Sequence, residues 1–188
     1  MNVLGISGTP RENGNSHILL ERSLSPFKDD EWDVVILRVR ELTVKPCTAC
    51  DYCKTNQGIC NINDDMNQFY DAFRKCDALI VASPVYSRNV CSQLMAVLDR
   101  HYAVHVERPL WGKVGGAIAV GAGSGQSTTI EAIYNWMRSC GVIGVPGELN
   151  GVTATALTEG EVLNQEKKLR QARVLGENIL RVAKKLYS

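Results

Sequence analysis

The fold is decided at residues 3–16, which read VLGISGTPRENGNS. The apolar run 3–7 is typical of a short buried strand, and the loop that follows it is rich in Gly, Pro and Asn. Helical character is predicted from Ser16 to Arg22. A strand that leads through such a loop into a helix is the opening unit of a parallel α/β sheet.

The same alternation continues along the chain. Further strands are predicted at 32–39, 77–83, 114–120 and 152–157, and helices at 66–73, 90–102, 128–139 and 162–186. The runs 78–82 and 114–120 are apolar throughout, as expected when both faces of a sheet are covered. The pattern predicts a doubly wound, five-stranded parallel sheet with helices on both faces, in a single domain that spans residues 1–188.

Composition excludes several classes of protein. The 188 residues carry 21 Lys and Arg against 20 Asp and Glu, without the basic excess of a nucleic-acid binder. No apolar run approaches the ~20 residues that a membrane-spanning helix needs, and the N-terminus does not resemble a signal peptide. We therefore expect a cytoplasmic protein with no nucleic-acid or membrane partner.

Five loops are expected at the carboxyl edge of the sheet, where ligands of such folds bind: 7–16, 40–62, 83–90, 121–127 and 157–161. Three of them, in the order 7–16, 83–90 and 121–127, have residues suited to a bound organic ligand. In the first loop, free N–H groups of a helix N-terminus favour an anion. Side-chain donors there are Ser7, Thr9, Arg11, Asn13, Asn15 and Ser16. Neither a Walker A sequence nor Gly-x-Gly-x-x-Gly is present, so a monophosphate fits better than a dinucleotide. The alternative is a polar surface turn with a helix cap.

The other two loops favour a flat ring. Residues 83–90 combine a stiff Pro84 with Tyr86, whose face suits a planar heterocycle. Residues 121–126 read GAGSGQ, and their glycines allow the backbone to approach a ligand closely. The alternatives are a packing tyrosine in the first case and a flexible loop without a ligand in the second.

The cysteines are concentrated in one segment. Four of the seven form the pattern Cys47-x2-Cys50-x2-Cys53-x6-Cys60, within an aperiodic loop at 46–62. Four thiolates from one loop can hold an iron–sulfur cluster or a zinc ion, and metal-free redox thiols are the third possibility. The remaining cysteines fall in predicted helices and are expected to be buried. His101 and His105 have helical metal-ligand spacing but no third ligand nearby, so we expect them to be structural.

Together these motifs resemble the iron–sulfur flavoprotein branch of the NADPH-dependent FMN reductase family, which has the flavodoxin-like fold. The resemblance covers nearly the whole chain. It depends on the first loop, on the compact cysteine motif followed by Asp64-Asp65-Met66, and on the segments 83–86 and 123–126.

The resemblance implies two cofactors, FMN and a 4Fe–4S cluster on Cys47, Cys50, Cys53 and Cys60. The expected FMN-binding residues are Ser7, Thr9, Arg11, Asn13, Asn15, Ser16, Pro84, Val85, Tyr86, Ser87, Asn89, Gly123, Ser124 and Gly125. No catalytic side chain is expected, because the flavin carries the chemistry.

The expected function is the transfer of electrons from a donor such as ferredoxin to a quinone, oxygen or peroxide, in a homodimer or a tetramer of dimers. A cluster-free NAD(P)H-dependent FMN or quinone reductase and a non-catalytic electron carrier are the alternatives.

Overall fold

The computed structural model describes residues 1–187 and confirms an open α/β sheet. Its strands are β1 (Asn2–Ser7), β2 (Asp33–Arg38), β3 (Ala78–Tyr86), β4 (Asn89–Val90), β5 (Val114–Gly121), β6 (Ile143–Gly144) and β7 (Val152–Thr155). Its α-helices are α1 (Asn15–Asp29), α2 (Tyr52–Thr55), α3 (Met66–Lys75), α4 (Ser92–Arg100), α5 (Gln126–Ser139) and α6 (Glu166–Tyr187). Two 3₁₀ segments, His101–Glu107 and Glu161–Asn164, follow α4 and precede α6.

The sheet has the order β2-β1-β3-β5-β6, and β7 also pairs with β5. These pairings are parallel, which confirms the predicted five-position sheet. The fifth position is shared, because β6 pairs with the beginning of β5 and β7 with its end. Within residues 1–187 the count is therefore seven strands rather than five, the remaining one being β4, which folds back antiparallel on β3.

Alternate residues of the central strands face two separate apolar layers. Leu79 and Val81 of β3 pack with residues of α3, α4 and α5 on one face of the sheet. Ile80 and Ala82 pack with residues of α1 and α6 on the other. Helices on both faces leave the carboxyl ends of the strands open, and the switch point lies between β1 and β3.

Helix α1 is longer than the sequence pattern suggests. It continues through Pro26 to Asp29, where helical character was expected to end at residue 22. Its buried face packs against α6 and the sheet, so tertiary contacts stabilise the part that contains proline. None of the helices within the described residues is long and apolar enough to cross a membrane.

Candidate functional site

A cavity of about 190 Å³ lies at the carboxyl ends of β1, β3, β5 and β7. The first two loops line it, together with the ends of β5 and β7. The residues in its wall are Thr9, Arg11, Gly14, Asn15, Ser16, Pro84, Val85, Tyr86, Val120, Gly121, Ala122, Ala156 and Leu157. Its location is the one predicted for the flat, singly phosphorylated ligand.

The first loop offers unused hydrogen-bonding groups. The hydroxyls of Ser7 and Ser16 are buried and have no hydrogen-bond partner among residues 1–187. Ser16 lies in the first turn of α1, where backbone N–H groups also lack helical partners and no acidic residue competes for them. Buried hydroxyls without partners cost free energy, so this loop fits an anionic ligand that would accept from them.

The same loop is closed by contacts within the chain. The N–H of Arg11 donates to the hydroxyl of Thr9 at 3.2 Å. A Cβ on Gly14 would lie well inside 3.0 Å of the Thr9 side chain, which is itself 2% exposed. Because the buried Thr9 side chain has no room to move, this loop conformation requires glycine at position 14.

The side chain of Asn15, a predicted phosphate contact, is occupied elsewhere, and so is the backbone N–H of Asn13. The Asn15 side chain donates to the carbonyl of Thr158 at 2.8 Å and accepts from the N–H of Val162 at 3.1 Å. The backbone N–H of Asn13 donates to the Glu159 carboxylate at 2.6 Å. These bonds attach the loop after β7 to the first loop, so Asn15 shapes the cavity wall from both sides.

The second loop is a β-hairpin. Ser87 and Arg88 both have positive φ, 49° and 60°, as in a two-residue type I′ turn. Gly125, at φ 101°, lies against this turn, and a Cβ there would come within 2.6 Å of the Arg88 Cα. The hairpin presents Tyr86 at the cavity with 42% of its surface exposed. A flat side chain with an open face at the mouth of the cavity suits a planar ring.

The third loop is held by Gln126. Its side-chain amide donates to the carbonyls of Gly123 and Ala154, at 3.1 and 3.3 Å, and to the hydroxyl of Thr155 at 3.2 Å. The bonds fasten the loop after β5 to the end of β7. The structural role of Gln126 depends on its contacts with Ala154 and Thr155, which are 28 and 29 residues away in the chain.

The structure brings half of the predicted FMN-binding residues together. Thr9, Arg11, Asn15, Ser16, Pro84, Val85 and Tyr86 line the cavity, and Ser7 is buried beneath it. Asn13, Ser87, Asn89, Gly123, Ser124 and Gly125 do not belong to its wall. Wall residues that the sequence reasoning missed are Gly14, Val120, Gly121, Ala122, Ala156 and Leu157. Gly14, Gly121, Ala122 and Leu157 fall within loops that the sequence places at this edge, whereas no local signal marks Val120 or Ala156 as a ligand contact.

A second cavity, of about 180 Å³, is formed by the cysteine loop and the end of α4. Cys47, Cys50, Cys53 and Cys60 all line it, as do Arg100 and Tyr102. The loop contains one short helix, α2, where none was expected. No group of three or more His, Cys, Asp or Glu side chains within residues 1–187 is already arranged as metal ligands.

The cysteine loop is held by polar contacts at its flanks, while Cys53 and Cys60 pack against the core. The N–H groups of Thr43 and Lys45 donate to the carboxylates of Asp65 and Asp64, at 2.7 and 2.9 Å. Asp65, at the start of α3, makes no side-chain capping bond, and the N–H of Met66 donates to the Asp64 carboxylate at 3.1 Å. The two adjacent aspartates tie the loop to the start of α3.

The seven thiols fall into two groups. Burial raises the pKa of Cys76 and of Cys140 to about 11, and it also raises that of Cys91. Cys50 is exposed, and hydrogen bonds from the N–H of Tyr52 and from Thr48 lower its pKa. The buried cysteines thus remain protonated, as expected of small apolar residues, whereas the exposed Cys50 thiol loses its proton more readily than a free cysteine.

The donor set of the second cavity fits an iron–sulfur group. Sulfur ligands select iron–sulfur clusters, zinc or Cu(I), and four cysteines line one cavity here. Cys47 and Cys50 are exposed, so their side chains can turn into the cavity without disturbing the core.

His101 is confirmed as a residue of the core. It is 4% exposed and contacts Phe73 and Trp136 edge-on, and burial lowers its pKa to about 4.

Comparison with known proteins identifies the family of the chain. The family model of the NADPH-dependent FMN reductases matches residues 1–156. An iron–sulfur flavoprotein of Methanocaldococcus jannaschii is 34% identical over 190 residues, covering 98% of each chain. An iron–sulfur flavoprotein of Methanosarcina thermophila is 35% identical over 167 residues, covering 86% of this chain and 87% of its own.

The fold has solved counterparts. The crystal structure of a flavodoxin, a WrbA-like protein from Agrobacterium tumefaciens, superposes with a TM-score of 0.71 at 16% identity and covers 98% of both chains. At that identity the likeness concerns the fold alone, and it confirms the flavodoxin-like architecture. With the matched residues and the cavity at the strand ends, this chain belongs to the NADPH-dependent FMN reductase family and is a flavin-dependent oxidoreductase.

Proposed function

We propose that this protein is an FMN- and 4Fe–4S-containing redox flavoprotein. The observation that carries the proposal is the presence of two cavities, one with unpaired hydroxyls at the strand ends and one lined by four cysteines. Its iron–sulfur flavoprotein relatives support the same assignment.

In the first cavity, different residues would bind the phosphate end and the ring end of the flavin. Arg11, Ser16 and the N-terminus of α1 would bind the phosphate, because they combine a positive charge with free N–H and O–H donors. Pro84 and Tyr86 would hold the ring, with the exposed face of Tyr86 against it.

In the second cavity, Cys47, Cys50, Cys53 and Cys60 would hold the 4Fe–4S cluster. When bound, the two groups would supply one-electron chemistry and one- or two-electron chemistry, between a donor such as a ferredoxin and a small acceptor such as a quinone, oxygen or peroxide. The side chains of the chain bind and orient the groups, and no side-chain acid or base is needed.

The remaining parts of the proposal concern partners and location. We include a homodimer or a tetramer of dimers, and no nucleic-acid or membrane partner. The balanced charge of +1 supports the exclusion of nucleic acid. The seven cysteines form no disulfide within the described chain, which supports a cytoplasmic location.

A second candidate is a cluster-free NAD(P)H-dependent FMN or quinone reductase. It is favoured by the arrangement of the thiols, because no three of them within residues 1–187 are close enough together to hold a metal ion as they stand. It predicts NAD(P)H oxidation by a preparation that contains flavin but no iron.

The deciding experiment is anaerobic purification followed by a visible spectrum and assays of iron, sulfide, zinc and flavin. We expect one FMN per chain and about four iron and four sulfide, the content of a 4Fe–4S cluster. Flavin with neither iron nor sulfide would replace this proposal by the second candidate, and zinc would reassign the cysteines as a structural site.

The ligand assignment is tested by Cys50→Ala. We expect this variant to lose most of its iron and sulfide and to retain FMN, because Cys50 lines only the second cavity. The matched control is Cys76→Ala, which removes a buried thiol outside both cavities and should leave the iron content unchanged. Full iron in Cys50→Ala would show that the ligand set is wrong.

A further inference from the structure

Arg100 is a buried arginine in the wall of the cysteine cavity. Its side chain is 1% exposed, at the last position of α4, and it is among the largest fully buried side chains of the protein. Arginine is almost never buried unless its charge is paired. The position therefore calls for an explanation from the groups around it.

The guanidinium donates to four groups in the cysteine loop and at its flanks. One terminal nitrogen donates to the Asp64 carboxylate at 2.5 Å and to the carbonyl of Lys45 at 3.1 Å. The other donates to the Cys60 sulfur at 3.3 Å and to the carbonyl of Ile62 at 3.4 Å. One side chain thus fixes both flanks of the loop and contacts a proposed ligand sulfur directly.

Loop attachment alone does not account for this arrangement. A buried ion pair adds little to stability compared with well-packed apolar residues, since desolvation offsets the attraction. The Arg100 Nε has no hydrogen-bond partner among residues 1–187, which adds a further cost. Asp64 and two backbone carbonyls accept from the guanidinium, and the Cys60 sulfur is the contacted atom that belongs to a proposed cluster ligand.

We propose that Arg100 is a positioning residue that orients Cys60 and raises the reduction potential of the iron–sulfur group bound there. The inference rests on the proposed function. Reduction would add one electron from a one-electron donor such as a ferredoxin, with no bond made or broken, and would make the cluster and its thiolate ligands together more negative by one unit. A charged N–H donor to sulfur stabilises that state more than the oxidised one, because charge-assisted hydrogen bonds strengthen with the charge of the acceptor.

The test is a potentiometric titration of anaerobically purified protein, followed by electron paramagnetic resonance. Arg100→Lys keeps a positive charge near Asp64 but removes the planar fork that reaches sulfur and carbonyls together. We expect its midpoint potential to fall by an amount equal to about a tenfold weaker reduction equilibrium, or 59 mV for one electron. Iron, sulfide and FMN content are measured on the same samples.

A second variant keeps the test decisive if Arg100→Lys does not fold. The double variant Arg100→Met with Asp64→Asn removes both charges together, so no buried charge is left unpaired. We expect a larger fall in potential than for the lysine variant. The control is Lys54→Gln, which removes an exposed cation from the same cavity wall without touching Cys60. Its potential should shift much less, since solvent screens an exposed charge.

The outcomes separate the two proposals. Wild-type protein without iron and sulfide would overturn the proposed function, and this inference with it. Wild-type protein with a full cluster, and Arg100 variants at the wild-type potential, would overturn the inference alone. Loss of the cluster from both folded Arg100 variants would also overturn it, because Arg100 would then be only a brace for the loop.

Discussion

Gly14 is required by the space around it rather than by its backbone conformation. Its φ of −63° and ψ of 136° are open to any residue. The restriction comes from Thr9, whose buried side chain occupies the position that a Cβ would need. Both residues lie in the wall of the first cavity, so an added methyl group would distort the proposed phosphate loop.

This crowding predicts that Gly14→Ala weakens FMN binding. We expect tenfold or more loss in affinity, about 1.4 kcal/mol, because the loop must open to relieve the clash with Thr9. Fluorescence titration of flavin-free protein with FMN measures the effect.

The control for this variant is Gly147→Ala, where a Cβ would meet nothing closer than 3.6 Å. Gly147 lies outside the first cavity, so its substitution should leave the affinity unchanged. Equal affinities in the two variants would contradict the role given to Gly14.

Residue identity predicted chemistry better than it predicted contacts. Ser16 and Arg11 line the cavity as expected, whereas the amide of Asn15 is used by Thr158 and Val162. An asparagine in a loop is equally suited to a ligand and to a distant backbone group. The choice depends on which group the fold brings near, and that information lies about 145 residues away in the chain.

At the scale of elements, α4 connects the two cavities. At its start, the Cys91 thiol donates to the carbonyl of Gly8 in the first loop at 2.9 Å. At its end, Arg100 contacts the cysteine loop. The eight steps from Ser92 to Arg100 cover about 12 Å at 1.5 Å per residue. The two proposed cofactor sites are therefore held at a set separation by one buried helix.

The crossing of α1 and α6 depends on Gly176. A Cβ at this position would lie well inside 3.0 Å of the Ser23 carbonyl oxygen in α1. In an exposed helix, alanine in place of glycine would stabilise by about 1 kcal/mol. Here the backbone of α1 cannot move without displacing the whole helix. The clash therefore outweighs the gain in helix propensity, and the substitution is destabilising.

We therefore expect Gly176→Ala to lower the free energy of unfolding by about 1–3 kcal/mol, the usual cost of overpacking. Urea denaturation followed by circular dichroism measures it, with Gly147→Ala again as the control. A Gly176→Ala protein at least as stable as the wild type would show that the two helices can separate at little cost.

The whole molecule consists of two apolar layers divided by the sheet, and each layer encloses polar groups. His101 lies in the layer formed with α3 and α5, 3.4 Å from the Cys140 sulfur. Burial, with a smaller effect from His105, lowers its pKa from 6.5 to about 4. The imidazole is therefore neutral in the folded protein at pH 7.

This burial makes stability depend on pH. Because the folded pKa lies below the unfolded one, the unfolded chain binds a proton between pH 6.5 and 4 that the folded protein does not. The free energy of unfolding should be fully maintained above pH 6.5 and fall by on the order of 3 kcal/mol as the pH approaches 4.

Thermal unfolding from pH 7 to pH 4 measures this effect as a slope. The slope should be shallower in His101→Gln, which cannot take up the proton, and close to wild type in His105→Gln, whose side chain is exposed. Parallel slopes in wild type and His101→Gln would contradict the assignment.

Local patterns were sufficient for the order of strands and helices, the positions of the loops and the cluster of four cysteines. Apolar periodicity, glycine-rich loops and cysteine spacing are local patterns, because each can be recognised within about fifteen consecutive residues. They also identified most of the residues by which the first and second loops line the first cavity.

Contacts between distant segments decided the rest. They divided the fifth sheet position between β6 and β7, carried α1 past Pro26, and brought Ala156 and Leu157 into the cavity wall. They also buried Arg100 beside Cys60, although in the sequence Arg100 is an ordinary charged residue at the end of an apolar helix. Burial and pairing of this kind depend on residues 36 to 55 positions away, which no local pattern encodes.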